Sequence, residues 1–226
     1  TELFVSTPDG MQNVKVSGTL AAGGNVLDYE WAPKGSRIAY RADQETTAFV
    51  ELFVSTPDGK KNAKVSGTLQ ALGGIGGYAW APAGSRIAYI ADQEIDNQFD
   101  LFVSTPDGKK NAKVSGPLSA SADVLSIGWS PDSSKIAYRV DAGGAGPTEL
   151  FVGLSGGKES WEVSGSIIAG GEVGESRWSS KSRLVYRADQ LVKNRSELFC
   201  VPSSLSQGIE IVGPDTGVGV GLFALK

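Results

Sequence analysis

Apolar residues occur along the chain in short runs of five or six, separated by stretches rich in glycine, proline, serine and aspartate. One cycle of this pattern contains four such runs: VLDYEW from Val26, RIAYRA from Arg37, ELFVS from Glu51 and AKVSG from Ala63. β-branched and aromatic residues are frequent in them, and none is long enough to favour a helix. We therefore predict four strands per cycle, named A, B, C and D in chain order.

The four-strand cycle repeats at a fixed interval. A tryptophan at the end of strand A and a glycine after strand D both recur every 49 residues. The positions are Trp31, Trp80, Trp129 and Trp178 for the tryptophan, and Gly18, Gly67, Gly116 and Gly165 for the glycine. A period of this size with four strands per unit is typical of the blades of a β-propeller.

The segments between the strands have the chemistry of tight turns. The C–D segment contains the phrase STPDG, which occurs three times. In the first copy Pro8 supplies a preset φ, Asp9 a side chain that caps its own turn, and Gly10 a residue free to adopt positive φ. We interpret the repeated phrase as the end of a strand followed by a turn that every blade needs.

The A–B hairpin WSPDSSKIAY, from Trp129 to Tyr138, resembles the W-S-P-D-G-x-x-I-A-Y signature of TolB-type propellers, which are relatives of WD-repeat propellers. The resemblance extends over all four units, with departures at Lys34, at Ala83 and in the fourth copy, WSSKSRLVY. Kelch propellers, which have a similar period and paired glycines, are the alternative. The TolB resemblance implies a bacterial protein of the periplasm or the extracellular space that makes protein–protein contacts.

We predict an all-β fold: a single β-propeller domain over residues 1–226, with about five four-stranded antiparallel blades. The chain starts on a C strand at Leu3, so we expect both termini to complete the last blade and cover its edge. The tail, GVGVGLFALK, could supply strand A or, through LFALK, a strand like B. Closure by strand exchange with a second chain is the other alternative. Thr1 in place of an initiator Met indicates a mature or excised chain.

Composition excludes several classes of function. The chain contains no histidine, so a Ser-His-Asp or Cys-His arrangement cannot form within it. The single cysteine, Cys200, excludes an internal disulfide. A net charge of −4 with scattered basic residues does not favour nucleic acid, and no apolar run is long enough to span a bilayer. We therefore expect no cofactor, no metal site, no nucleic-acid partner and no membrane insertion.

The candidate binding residues lie at the end of the blades that carries the B–C and D–A loops, which differ between units. Strand B ends in YRADQ, YIADQ, YRVDA and YRADQ, which gives each unit an aspartate and three units an arginine. The candidates are Asp43, Asp92, Asp141, Asp189, Arg41, Arg139 and Arg187. A ring of aspartates could attract a cation or a basic peptide. Alternatively, each aspartate accepts hydrogen bonds from the amides of its own B–C loop.

Tyr29, Tyr78 and the four tryptophans are predicted to pack between blades rather than to form a platform for sugars. The sequence favours a non-catalytic binding or scaffold propeller, a monomer with a protein or peptide partner. The alternatives are a lectin-like propeller and a module detached from a larger hydrolase or repeat protein. Prolyl-oligopeptidase-type hydrolases, which the blades also resemble, carry a propeller ahead of their catalytic domain. Polysaccharide lyases on this blade type depend on histidine ligands that this chain lacks.

Overall fold

The computed structural model describes residues 1–71 and 73–201, and the backbone of 209–212. The described residues form one two-stranded and four four-stranded sheets. None of them belongs to a helix that could cross a membrane. Two compact units divide the chain, one over Thr1–Ala112 and one that begins at Lys113.

The first unit contains the two-stranded sheet and two four-stranded sheets. The two-stranded sheet pairs β1 (Phe4–Ser6) with β2 (Asn13–Lys15). The next sheet consists, in order, of β3 (Val26–Trp31), β4 (Ile38–Ala42), β5 (Glu51–Ser55) and β6 (Asn62–Lys64). The third consists of β7 (Ile75–Trp80), β8 (Ile87–Ala91), β9 (Asp100–Ser104) and β10 (Asn111–Lys113), whose last residue falls in the second unit.

The second unit contains two four-stranded sheets. One consists of β11 (Asp123–Trp129), β12 (Lys135–Asp141), β13 (Thr148–Leu154) and β14 (Ser160–Glu162). The other consists of β15 (Val173–Trp178), β16 (Leu184–Ala188), β17 (Glu197–Val201) and β18 (Ile209–Val212). Four antiparallel strands per repeat, in the order A, B, C and D, are therefore confirmed. The tail on which the predicted closure depends lies outside the described residues.

Strand D is shorter than predicted. We expected AKVSG to form the strand, but β6 ends at Lys64. Beyond it the amides of Val65 and Ser66 both donate to the carbonyl oxygen of Leu52, at 2.8 and 3.3 Å. The Leu52 amide in turn donates to the Ser66 hydroxyl at 3.2 Å, and the same arrangement recurs at Leu150. A serine side chain thus replaces the regular ladder at this point, which is why the strand ends early.

The STPDG phrase forms the turn that the sequence predicts. In the second copy the Thr56 hydroxyl donates to the Asp58 carboxylate at 2.6 Å, and that carboxylate accepts the Lys60 amide at 3.2 Å. Gly59 has a φ of 69°, and a Cβ at this position would overlap the carbonyl oxygen of Lys15 in the neighbouring sheet. Glycine is therefore required both for the backbone conformation and for the close approach of two sheets.

The tyrosine of strand B forms the centre of the core in every four-stranded sheet. Each of these tyrosines is buried and stacks on the phenylalanine opposite it in strand C, with ring centroids 5.1 to 5.7 Å apart. The pairs are Tyr40–Phe53, Tyr89–Phe102, Tyr138–Phe151 and Tyr186–Phe199. Such offset aromatic pairs stabilise a sheet beyond the area that they bury.

The aromatic residues of strand A divide into two groups in the first unit. Trp80 is 6% exposed and donates its indole N–H to the carbonyl oxygen of Glu30 at 3.3 Å, and Tyr78 packs against the same core. Trp31 and Tyr29 are 43% and 60% exposed, so their predicted burial between blades fails within the described part of the chain. The reason is that Trp80 rests on the preceding A strand, whereas β3 is the first A strand of this unit.

Candidate functional site

The aspartate at the end of strand B holds the loops at its own end of the sheet. Asp92 is 2% exposed and accepts the amide of Gly74, in the D–A loop, at 2.8 Å. Asp189 accepts the amide of Glu172 before β15 at 2.6 Å and that of Asn194, in the B–C loop, at 3.0 Å. Asp189 therefore joins two loops that are distant in sequence, and both carboxylates hold the D–A loop, whereas the sequence suggested bonds to the B–C loop alone.

Asp43 makes the same pair of contacts nearer the surface, while Asp141 does not. Asp43 accepts the amide of Asn25 and, at 3.5 Å, that of Ala48. The bond from the Asn25 amide is the largest of the causes that lower the pKa of Asp43. Asp141 instead accepts the amide of Gly143, two residues further along its own glycine-rich loop, at 2.9 Å.

The arginine of strand B connects neighbouring sheets. In the first unit Arg41 Nη1 donates to the carbonyl oxygens of Ile75 and Gly76, at 2.7 and 3.4 Å, where a β-bulge interrupts the register of β7. Arg41 Nε donates to Asp28 at 2.9 Å, and the Tyr78 hydroxyl donates to the same carboxylate at 3.1 Å. The hydrogen bond to Asp28 is the largest cause that raises the pKa of Arg41.

The second unit repeats this connection. Arg139 donates to the carbonyl oxygens of Val173, at 3.1 Å, and Gly174, at the bulge of β15. Its Nε donates to the Ser126 hydroxyl at 3.1 Å. Arg187 lies on β16, with its guanidinium close to Gly174. The bulges of β7 and β15 leave carbonyl groups outside the regular ladder, and Arg41 and Arg139 satisfy them.

The seven predicted binding residues thus lie at the loop end of their sheets, and the contacts described above hold loops and sheets together. Each of the four aspartates lies at the end of strand B in a different sheet. Within the described ranges, no three histidine, cysteine, aspartate or glutamate side chains lie close enough to hold a metal ion. A binding role for the seven residues stays a prediction.

A cavity of about 340 Å³ beside Tyr138 was not anticipated from the sequence. Its lining includes Gly116, Ala142, Glu149 and Ser160. The sequence did contain a signal, because strand B ends in ADQ in three units and in VDA in this one, where Ala142 replaces glutamine. The sequence shows this replacement, but whether it leaves a cavity depends on residues that only the fold brings together.

The four-stranded antiparallel sheets, with their strand-A tryptophans and strand-B tyrosines, give the chain the fold of a TolB-like β-propeller. The structure is similar to that of a putative TolB from Agrobacterium tumefaciens, with a TM-score of 0.53 and 14% sequence identity. That match covers 92% of this chain and 80% of the other. At this identity the similarity shows the fold alone.

Two peptidases contain a region that is also similar to this chain. A prolyl endopeptidase matches with a TM-score of 0.64 and 14% identity, over 95% of this chain and 33% of its own. The dipeptidyl peptidase 4 of Porphyromonas gingivalis matches with a TM-score of 0.63 and 13% identity, over 94% of this chain and 40% of its own. This chain therefore spans about a third of the prolyl endopeptidase. No family model and no curated protein matches it.

The predicted function as a non-catalytic scaffold for protein–protein contacts is wrong, as is its lectin-like alternative. Similar solved structures are mostly those of enzymes, which also include a puromycin hydrolase and an oligogalacturonate lyase. The scaffold role was inferred from the TolB resemblance, and the absence of catalysis from the missing histidine, which excludes a histidine-dependent active site only within this chain. A propeller that accompanies a catalytic domain needs no catalytic residues of its own, so the same composition fits an enzyme-associated module.

Proposed function

We propose that the chain is an enzyme-associated propeller, a module that works with a catalytic domain of the peptidase or amide-hydrolase class. The observation that carries this proposal is the match to the prolyl endopeptidase, which extends over 95% of this chain but only 33% of that enzyme. The remaining two thirds of such an enzyme leave room for the catalytic machinery. The dipeptidyl peptidase and the puromycin hydrolase support the same reaction class.

In this proposal the chain supplies no catalytic group, and its partner is a protein domain. The prolyl endopeptidase was analysed for the role of inter-domain dynamics in catalysis and specificity. We assign this chain a comparable task, the control of access to an active site through its position relative to the catalytic domain. The end with the variable B–C and D–A loops is the proposed contact surface, and the seven residues predicted for binding lie there.

Two measurements test the proposal. The purified chain is assayed with a chromogenic prolyl peptide, and we expect no turnover. The native protein is then captured from its source cells with an antibody against this chain and treated with a fluorophosphonate, which labels active serine hydrolases. A labelled hydrolase in the same polypeptide or in a stable complex supports the proposal. As the control, the capture is repeated with an excess of the free chain, which competes for the antibody. Turnover by the chain alone, or captured protein without labelled hydrolase, would contradict it.

We also propose that the sheets belong to one domain of about five blades, closed by both chain termini, in the periplasm or the extracellular space. The 49-residue period and the TolB resemblance support this arrangement. Removal of residues 217–226 should lower the thermal midpoint, because it exposes a strand edge. An unchanged midpoint would argue against closure, light scattering tests the monomer, and cell fractionation tests the compartment.

A further inference from the structure

The cavity beside Tyr138 has the size and the mixed lining of a small-molecule site. Its volume of about 340 Å³ falls within the range of such sites. It lies in the second unit, between the D–A segment that precedes β11 and strands β12, β13 and β14. Apolar lining comes from Leu118, Val140 and Phe151, and polar groups come from Tyr138, Glu149 and Ser160.

The same place in the first unit is filled by a glutamine. Gln44 Oε1 accepts the amide of Gly18 at 2.9 Å and the hydroxyl of Tyr40 at 2.6 Å. A methyl group added to Gly18 would lie 2.5 Å from Nε2 of that side chain. In the Tyr138 repeat Ala142 replaces the glutamine, and a methyl group added to Gly116 would meet no described atom within 4 Å.

A second shortened side chain enlarges the space. In the first unit Asn62 Nδ2 donates to the Tyr40 hydroxyl at 2.5 Å and to the carbonyl oxygen of Val16 at 3.0 Å. Ser160 occupies the matching position and forms a short hydrogen bond with the Tyr138 hydroxyl. The two tyrosines are equally buried, so the cavity results from its neighbours and not from a displaced core.

The Tyr138 repeat also differs from the first unit in the charged residues beside the cavity. In the first unit the Lys64 ammonium donates to Glu51 at 2.9 Å. In the Tyr138 repeat the matching residues are Glu149 and Glu162, so a carboxylate replaces the lysine. Burial, and then the charge of Glu162, raise the pKa of Glu149. No lysine or arginine is among the residues that line the cavity. An entering cation would therefore take the place that Lys64 holds in the first unit.

We propose that this cavity binds a small organic cation, a primary amine or a guanidinium carried on a short apolar stem. The cationic group would donate charge-assisted hydrogen bonds to Glu149, and the hydroxyl oxygens of Tyr138 and Ser160 offer further acceptors. The stem would contact Leu118 and Phe151. The cation is either a free amine or the side chain of a lysine or arginine in a peptide. This inference goes beyond the enzyme association and does not depend on it.

Isothermal titration calorimetry of the full chain tests the proposal with agmatine, n-butylamine and the neutral n-butanol. We expect both cations to bind with one site per chain and n-butanol not to bind. Ala142→Gln should abolish binding, because it restores the filling side chain. Glu149→Gln should weaken it roughly tenfold or more, because it removes the charged acceptor. The matched control Glu159→Gln, an exposed residue outside the lining, should bind like the wild type.

Peptides separate the two sources of the cation. A capped peptide with one central lysine that binds more tightly than n-butylamine identifies a peptide side chain, and weaker binding identifies a free amine. The proposal is overturned if neither cation binds at millimolar concentration, if n-butanol binds equally well, or if Glu149→Gln leaves cation binding unchanged. Thermal melting accompanies each variant. Should Ala142→Gln fail to fold, Glu149→Gln still decides the outcome, because it removes a charge at a half-buried position without adding volume.

Discussion

Two junctions at matching positions of the repeat differ in whether side chains fill them. The Tyr40 junction consists of Gly18, Tyr40, Gln44 and Asn62, and the Tyr138 junction consists of Gly116, Tyr138, Ala142 and Ser160. Both tyrosines are buried and stack on phenylalanine, with ring centroids 5.5 and 5.6 Å apart. The first junction is filled by side-chain amides, and the second leaves a cavity. Two shortened side chains can thus open a cavity while the aromatic core stays in place.

The backbone around the Tyr138 junction differs as well. Strands β11, β12 and β13 have seven residues each, whereas β3, β4 and β5 have six, five and five. As a result, Asp141 belongs to its strand and pairs with Asp123 across the ladder, whereas Asp43 follows β4 and holds two loops. In this sheet the longer strands extend to the loop end, and Asp141 accepts only the Gly143 amide of its own B–C loop.

The largest expected effect is that of Gln44→Ala. This change removes the acceptor for the Gly18 amide and the Tyr40 hydroxyl, so we expect the free energy of unfolding to fall by about 1–3 kcal/mol. Urea unfolding of the variant and of Gln12→Ala, an exposed turn residue, measures the difference. Equal stability of the two variants would mean that the glutamine does not hold the Tyr40 junction together.

A smaller effect is expected from the two matched glycines. Gly18→Ala places a methyl group against the Gln44 side chain, so it should cost about 1 kcal/mol through crowding. Gly116→Ala meets no described atom within 4 Å and should leave stability unchanged or raise it by about 0.5 kcal/mol, because alanine restricts the unfolded chain. The urea unfolding midpoints of the two variants test this difference. If both variants lose stability equally, the two junctions do not differ in how tightly they are filled.

A still smaller effect should follow from Glu162→Lys, which restores the charge pattern of the first unit. Because the pKa of Glu149 is raised, its ionisation lowers stability as pH rises through and above its ordinary value of 4.5. The new lysine should add about 0.2–1 kcal/mol at pH 7, and the gain should vanish below about pH 4, where Glu149 is protonated in both states. Denaturation at both pH values measures this. An equal gain from Glu159→Lys, in the exposed turn, would point to net charge instead.

The smallest expected effect is that of Gln44→Ala on the number of agmatine sites per chain, which should not change. Gln44→Ala should open the Tyr40 junction, yet Lys64 already pairs with Glu51 there at 2.9 Å. We therefore expect agmatine to bind this variant with one site per chain, as in the wild type. A second site of similar affinity would show that space alone, and not the carboxylate without a lysine, selects the cation.

Most of the strand pattern could be predicted from the sequence, because it depends on local chemistry. VLDYEW and ELFVS match β3 and β5 residue by residue, and the Asp58 turn forms as its composition indicates. Strand D was predicted too long, because the serine hydroxyl that ends it binds an amide 14 residues away. The aspartates were correctly located at the loop end, but the bonds of Asp43, Asp92 and Asp189 to the D–A loop were missed.

The sequence by itself determined the 49-residue period, the order of the strands, the turns and the lack of histidine, since each can be read from neighbouring residues or from composition. Only the tertiary structure decided what equivalent residues do. Arg41 binds carbonyl groups 34 and 35 residues away, and Tyr40 joins Gly18 and Asn62, each 22 residues away. A cavity or a filled junction depends on several such distant side chains at once. For this reason the sequence showed the change from glutamine to alanine but not the cavity that results from it.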